Sequence, residues 1–168
     1  PVQVAGIEHA VAIAAGAYHN AAVRADGTVA TWGCNWSTVW QLADGTTLRS
    51  VTPTTVTGLT GLPALGKRYI PRDEPFEPLS DIVDVAAGGY HTIARKKDGT
   101  AWGWWYNFYW GQLGDGDAGW RTNPVQSLQI DGIAAMAAGK YHTIVLSPDG
   151  TVRAFGCNMH GALGIGSK

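Results

Sequence analysis

The chain has 168 residues, with 12 Lys and Arg against 13 Asp and Glu and a formal net charge of −1. One domain is the expected count, and 45% hydrophobic residues is enough for a packed core. So even a balance excludes the basic field that generic nucleic-acid or anionic-membrane binding requires, and no run of about 18 apolar residues is present to insert in a bilayer. With 23 Gly, 8 Trp and only 15% charged residues, disorder is also disfavoured, which leaves an all-β reading. Two cysteines do not make a disulfide framework, and Pro1 in place of Met implies either a removed leader or a longer chain.

In chain order, Pro1–Val4 reads as a short strand, Val11–Ala14 as a second and His19–Arg24 as a third. Asp26-Gly27 then marks a hairpin turn, because Gly accepts positive φ, and Thr28–Trp32 returns as a strand. The same order recurs. Ala14-Ala15-Gly16-Ala17-Tyr18-His19 is repeated at Ala86–His91 and at Ala137–His142. Asp26-Gly27-Thr28 is repeated at Asp98–Thr100 and Asp149–Thr151, and Asn35 at Asn107 and Asn158. Every one of these positions is spaced by 72 and then 51 residues. Pro124–Ser127 occupies the offset of Pro1–Val4. Three repeats follow, at about 1–50, 51–121 and 122–168, the second enlarged by an insertion at about 60–80.

Four short strands per unit of about 50 residues is the arithmetic of a β-propeller blade. No window sustains the i, i+3, i+4 apolar spacing of a helical solenoid. A blade buries both faces of its sheet against neighbours, and three blades do not close a ring. The exposed end faces then belong to a longer propeller, to a ring completed by other copies, or to an open head-to-tail stack.

His91-Thr92, Asp98-Gly99-Thr100, Asn107 and Gly111-Gln112-Leu113-Gly114-Asp115-Gly116, with His142-Thr143, Phe155-Gly156-Cys157-Asn158 and Gly161–Gly166, resemble the regulator of chromosome condensation repeat family. The first repeat contributes Trp32-Gly33-Cys34-Asn35 and Trp40-Gln41-Leu42-Ala43-Asp44-Gly45. The resemblance implies a β-propeller, usually of seven blades. It also brings in the family's guanine nucleotide exchange on a small GTPase, which ranks here below the readings that follow. Trp105 and Trp40 stand where that pattern has Gly.

For chemistry the sequence is sparse. His19, His91 and His142 fall on separate blades, too distant to share a metal, and are expected as one hydrogen-bonding histidine per blade. No nucleophile elbow, zinc-protease helix or phosphate loop occurs, so neither catalysis, metal nor cofactor is expected. Cys34 and Cys157, at equivalent positions two blades apart, are expected as free thiols or as an interchain pair between head-to-tail copies. Asn35-Trp36-Ser37 is an acceptor triplet, which points to glycosylation at Asn35 and an extracellular or cell-surface location.

Seven aromatics stand within nine residues from Trp102 to Trp110. Core packing is expected to take about half of them, one or two by analogy with Trp32 and Phe155, and Trp104, Trp105, Tyr106, Phe108, Tyr109 and Trp110 are the candidate contact residues, because large rigid aromatics anchor interfaces and stack on sugars. Trp36 and Trp40 join them from the first repeat, and Arg68, Tyr69, Arg72 and Phe76 from the proline-rich insertion. The expected function is a non-catalytic interaction or scaffold module. Its partner is a protein, copies of itself or a glycan, and neither nucleic acid nor a membrane. The alternative is a structural subunit of a homo-oligomeric or filamentous extracellular assembly.

Overall fold

The computed structural model describes residues 1–35, 42–44, 46, 48–57, 79–119, 121–127, 130 and 132–166. These hold strands β1 (Ala10–Ala15), β2 (His19–Arg24), β3 (Val29–Gly33), β4 (Ser50–Thr55), β5 (Ile82–Ala87), β6 (His91–Lys96), β7 (Ala101–Trp105), β8 (Arg121–Gln126), β9 (Ala135–Ala138), β10 (His142–Leu146) and β11 (Val152–Gly156). They form three antiparallel sheets in the orders β1-β2-β3-β4, β5-β6-β7-β8 and β9-β10-β11, with no helix among the described residues. Three consecutive meanders arranged in this way are the blades of an incomplete propeller ring.

Each hairpin between the second and third strands turns on its Asp. Asp26 Oδ1 accepts from the Thr28 amide at 2.9 Å and the Thr28 hydroxyl at 2.7 Å, and Asp98 does the same for Thr100. Asp149 accepts from the Thr151 amide at 2.9 Å. These bonds stabilise the carboxylate form, so all three Asp are held below their ordinary pKa. Each loop beyond the third strand is pinned by its Asn, whose Oδ1 accepts from the amide of Leu42, Leu113 or Leu163 at 3.4, 2.9 and 3.0 Å.

The core lies between the sheets. Ala21, Val23 and Val29 of the first sheet pack with Ile82, Val85, Ala94 and Trp104 of the second. Ile93 and Ala101 of the second sheet and Leu113 of its β7–β8 loop pack with Ile133 and Val145 of the third region. A buried Val or Ile side chain contributes roughly 1.5–3 kcal/mol, so these layers supply most of the force that stacks the blades.

Both junctions are then closed by the same three hydrogen bonds. His19 Nε2 meets Thr92 Oγ1 at 2.8 Å, and His91 Nε2 meets Thr143 Oγ1 at 2.9 Å. The Ala17 amide donates to Gly88 O at 3.4 Å and the Gly89 amide to Gly139 O at 3.3 Å. At the hairpin end, the Ile82 amide donates to Gly27 O and the Ile133 amide to Gly99 O, both at 3.1 Å. Glycine is required in the clasp: a Cβ on Gly88 would lie 2.4 Å from His91 Cε1 and 2.5 Å from Gly139 O.

Two expectations about strands need correction. Pro1–Val4 is extended, exposed and outside every sheet. The fourth strand of the first sheet is instead Ser50–Thr55, which pairs with β3, and Arg121–Gln126 likewise pairs with β7. Repeat divisions near residues 50 and 121 therefore cut between sheet partners, because a blade ends on the strand after its Asn loop.

Candidate protein-interaction face

The loop between the first and second strands of each sheet ends in a tyrosine. Tyr18, Tyr90 and Tyr141 are brought side by side by the stacking of the blades, with ring centroids 5.3 Å apart for Tyr18 and Tyr90 and 5.4 Å for Tyr90 and Tyr141. The rings of the second pair are stacked and nearly parallel, 9° apart. Each tyrosine carbonyl accepts from the residue that follows the third strand: Cys34 at 2.8 Å, Tyr106 at 3.2 Å and Cys157 at 2.8 Å. A second row thus runs beside the first, with Tyr106 in its middle, 6.0 Å from Tyr90 and 6.1 Å from Tyr141. Lys140 Nζ sits 5.2 Å from the centre of the Tyr141 ring.

Tyr18 is 52% exposed, and Tyr90, Tyr106 and Tyr141 are half-buried, so all four reach the surface. A hydrogen bond with Tyr90 raises the Tyr18 pKa, and burial among the other tyrosines raises that of Tyr106. Both are neutral donors at pH 7. Apolar rings carrying hydroxyl donors suit a protein surface with backbone carbonyls and aliphatic or aromatic side chains.

Behind each tyrosine stands the clasp histidine. Thr143 Oγ1 donates to Gln112 O at 2.9 Å, so it must accept from Nε2–H of His91, which fixes that tautomer. Nδ1 of His91 is buried without a hydrogen-bond partner among the described residues. A proton there would be stranded. Burial first, and the neighbouring charges of His19 and His142 second, depress the His91 pKa to about 3. His19 and His91 are structural clasps, and no group of three or more His, Cys, Asp or Glu able to hold a metal occurs among the described residues.

The aromatic run is divided by the fold. Trp104 and Trp105 lie on β7, 0% and 1% exposed, and are core side chains rather than contact residues. Trp105 also has φ of 87°, at the position where Gly33 and Gly156 have 120° and 110°. Its ring lies tilted against those of Tyr90 and Tyr106, with centroids 5.6 and 5.8 Å away, and so packs against both tyrosine rows. Tyr106 joins the face. Phe108 and Trp110 are half-buried, and Tyr109 is 68% exposed, its ring edge-on to Phe108 with centroids 4.0 Å apart. Trp36, Trp40, Arg68, Tyr69, Arg72 and Phe76 lie outside the described residues.

Asn35 is not available to a glycosyl group in this fold. It is fully buried, and its Nδ2 donates to Thr46 O at 3.0 Å and Leu48 O at 3.1 Å. Cys34 and Cys157 are half-buried free thiols. Sequence reasoning missed Tyr18, Tyr90 and Tyr141 as surface residues, although a tyrosine precedes the histidine in all three repeats. That recurrence was the available signal.

Comparison with known proteins agrees with this architecture. A family model described as the regulator of chromosome condensation (RCC1) repeat matches residues 10–35, 82–104 and 133–162, the first three strands of each sheet. The chain is 39% identical over 88 residues to the mitochondrial RCC1 domain-containing protein RUG3 of Arabidopsis thaliana, covering 51% of this chain and 20% of that protein. It is 33% identical over 156 residues to the ultraviolet-B receptor UVR8 of the same plant, covering 92% of this chain and 31% of the receptor. The crystal structure of Prp20p from Saccharomyces cerevisiae, a protein studied for its binding to Gsp1p and histones, superposes with a TM-score of 0.68 at 18% identity. That match covers 97% of this chain and 36% of Prp20p, and at such identity it is a likeness of fold alone. The chain spans a third or less of the two curated relatives.

Proposed function

We propose that the chain, which belongs to the regulator of chromosome condensation (RCC1) repeat family, is a non-catalytic protein-interaction module whose partner docks on the tyrosine rows. The observation that carries this is the set of Tyr18, Tyr90, Tyr106 and Tyr141, tiled 5.3–6.1 Å apart and each at least partly exposed. Tyrosine offers large contact area with few rotors and a polar tip, and such residues dominate binding energy at protein interfaces. A net charge of −1 disfavours a nucleic-acid partner for this face. The binding of Gsp1p and histones by Prp20p supports a protein as the partner class.

The test replaces Tyr18 with a photo-crosslinking benzoylphenylalanine and identifies the proteins captured in native extract. Each captured protein, together with purified Gsp1p and histones, is then titrated against the wild-type chain and a Tyr18→Ser, Tyr141→Ser double variant. The expected result is a purified protein bound at micromolar affinity or better, and weakened at least tenfold by the double variant with its circular dichroism unchanged. A partner bound equally by both forms, or no purified protein bound at all, overturns the reading.

A further inference from the structure

Strand β4 carries the hydroxyls of Ser50, Thr52, Thr54 and Thr55. Three of them are engaged. Ser50 Oγ donates to Thr52 O and accepts from the Thr52 amide at 3.4 Å. Thr54 Oγ1 shares its proton between Thr31 O at 3.1 Å and Asp44 Oδ2 at 3.0 Å. Thr55 Oγ1 accepts from Arg24 Nη1 at 3.4 Å. The Thr52 hydroxyl has no hydrogen-bond partner among the described residues, and the residue is exposed.

The backbone around Thr52 has left the sheet ladder. β4 is the edge strand of its sheet, and its pairing with β3 runs from Gly33–Ser50 to Thr31–Thr54. Two steps along β3 are matched by four along β4, so the surplus is taken up as a bulge at residues 51–53. Inside it the Thr52 amide bonds to Ser50 Oγ rather than to the backbone of β3. An acceptor placed there can be approached without breaking a cross-strand bond of its own.

Pro53 comes next in the chain. Its ring bars the preceding residue from the helical region and so holds Thr52 extended. It also brings no N–H to the position after the hydroxyl. A reachable hydroxyl on an extended backbone, followed by a pyrrolidine ring, is the substrate form that a proline-directed protein kinase requires. The sequence holds one other Ser/Thr-Pro pair, Ser147-Pro148, and the fold treats it differently. Ser147 is 7% exposed, and its Oγ accepts from Arg153 Nη1 at 2.8 Å. Its amide donates to Thr151 O at 2.8 Å and its carbonyl accepts from the Gly150 amide at 3.0 Å, which ties it into the hairpin turn.

We propose that Thr52 is a phosphorylation site for a proline-directed protein kinase, and that the fold withholds Ser147 from the same enzyme. Thr52 Oγ1 attacks the γ-phosphorus of MgATP, and the bond from that phosphorus to the β,γ-bridging oxygen breaks. ADP leaves with the bonding pair, and the hydroxyl proton passes to the catalytic aspartate of the kinase. The product adds a charge of about −1.5 to −2 at pH 7 to an edge strand, with no hydrogen bond of the acceptor hydroxyl lost in making it. The inference is independent of the partner bound on the tyrosine face.

The test incubates the folded chain with MgATP and either a mitogen-activated protein kinase or a cyclin-dependent kinase. Synthetic peptides of residues 48–57 and 143–152 run alongside. Tandem mass spectrometry is expected to place one phosphate per chain, at Thr52. The folded chain should be modified there within about tenfold of the rate of its peptide, because the bulge already presents the acceptor. Ser147 in the folded chain should lag its peptide by about a hundredfold or more, because only an opened state exposes it. Thr52→Ala, with circular dichroism unchanged, should take no phosphate, and Thr52→Ser should restore it. Transfer to the 48–57 peptide but not to the folded chain overturns the proposal. So does transfer to neither by both kinases, or a folded chain modified at Ser147 as readily as at Thr52.

Discussion

Acid should weaken this fold through His91 in a window set by one side chain. The neutral ring is clasped to Thr143, and its second nitrogen is buried without an acceptor among the described residues. Its pKa falls from 6.5 to about 3 on folding. Between those values the unfolded chain binds a proton that the folded chain refuses, so this contribution is complete above pH 6.5 and is lost as pH falls toward 3. Each pKa unit corresponds to about 1.4 kcal/mol, which puts the loss at roughly 2 kcal/mol by pH 5. His91→Gln keeps an amide donor for Thr143 and removes the titration. Urea unfolding at pH 7 and pH 5 should show the wild type losing about 2 kcal/mol more than the variant over this interval. Equal losses in the two proteins would refute the reasoning, whatever their absolute stabilities.

Trp105 combines a left-handed backbone with a buried ring, so its two truncations separate strain from packing. Both lose the ring contacts with Tyr90 and Tyr106, but Trp105→Gly should be more stable than Trp105→Ala by about 1 kcal/mol in urea unfolding, the reverse of the usual order, because only Gly relieves positive φ. Asn107→Ala should cost on the order of 2 kcal/mol in the same assay, since it strands the buried Leu113 amide and removes the bonds from Nδ2 to Asp115 Oδ1 and Asp117 O. An enzymatic glycan-release assay on chain secreted from a eukaryotic host should leave the mass at Asn35 unchanged, because that side chain is buried and bonded. A mass loss there would show that the site is modified before the loop closes.

The blades were legible because their signals are local and repeated. Asp26 bonds to Thr28 two residues on, and Asn107 to Leu113 six residues on, so sequence spacing alone carries each turn and loop. The clasp histidines were legible as one per blade for the same reason. The fourth strands were not, since β4 follows a loop of variable length and its partner is chosen by pairing rather than by neighbours along the chain. Trp104 and Trp105 were misread because a blade is buried on both faces, which erases the alternation that separates core from surface in a one-sided sheet. Asn35 shows the same gap in another form, because a triplet records residue types and not burial. The tyrosine rows needed three-dimensional stacking: Tyr18 and Tyr141 are 123 positions apart and meet only through Tyr90 between them.

Amide hydrogen exchange read by NMR tests the radial stacking most directly. In dilute solution the amides of Ile82, Ile133, Ala17 and Gly89 should exchange slowly, being bonded across the sheet junctions, while Ala10 and Lys140 at the same repeat positions should exchange rapidly. Comparable rates across Ala10, Ile82 and Ile133 would contradict it, because sheets that did not pack side by side would leave all three equally open to water.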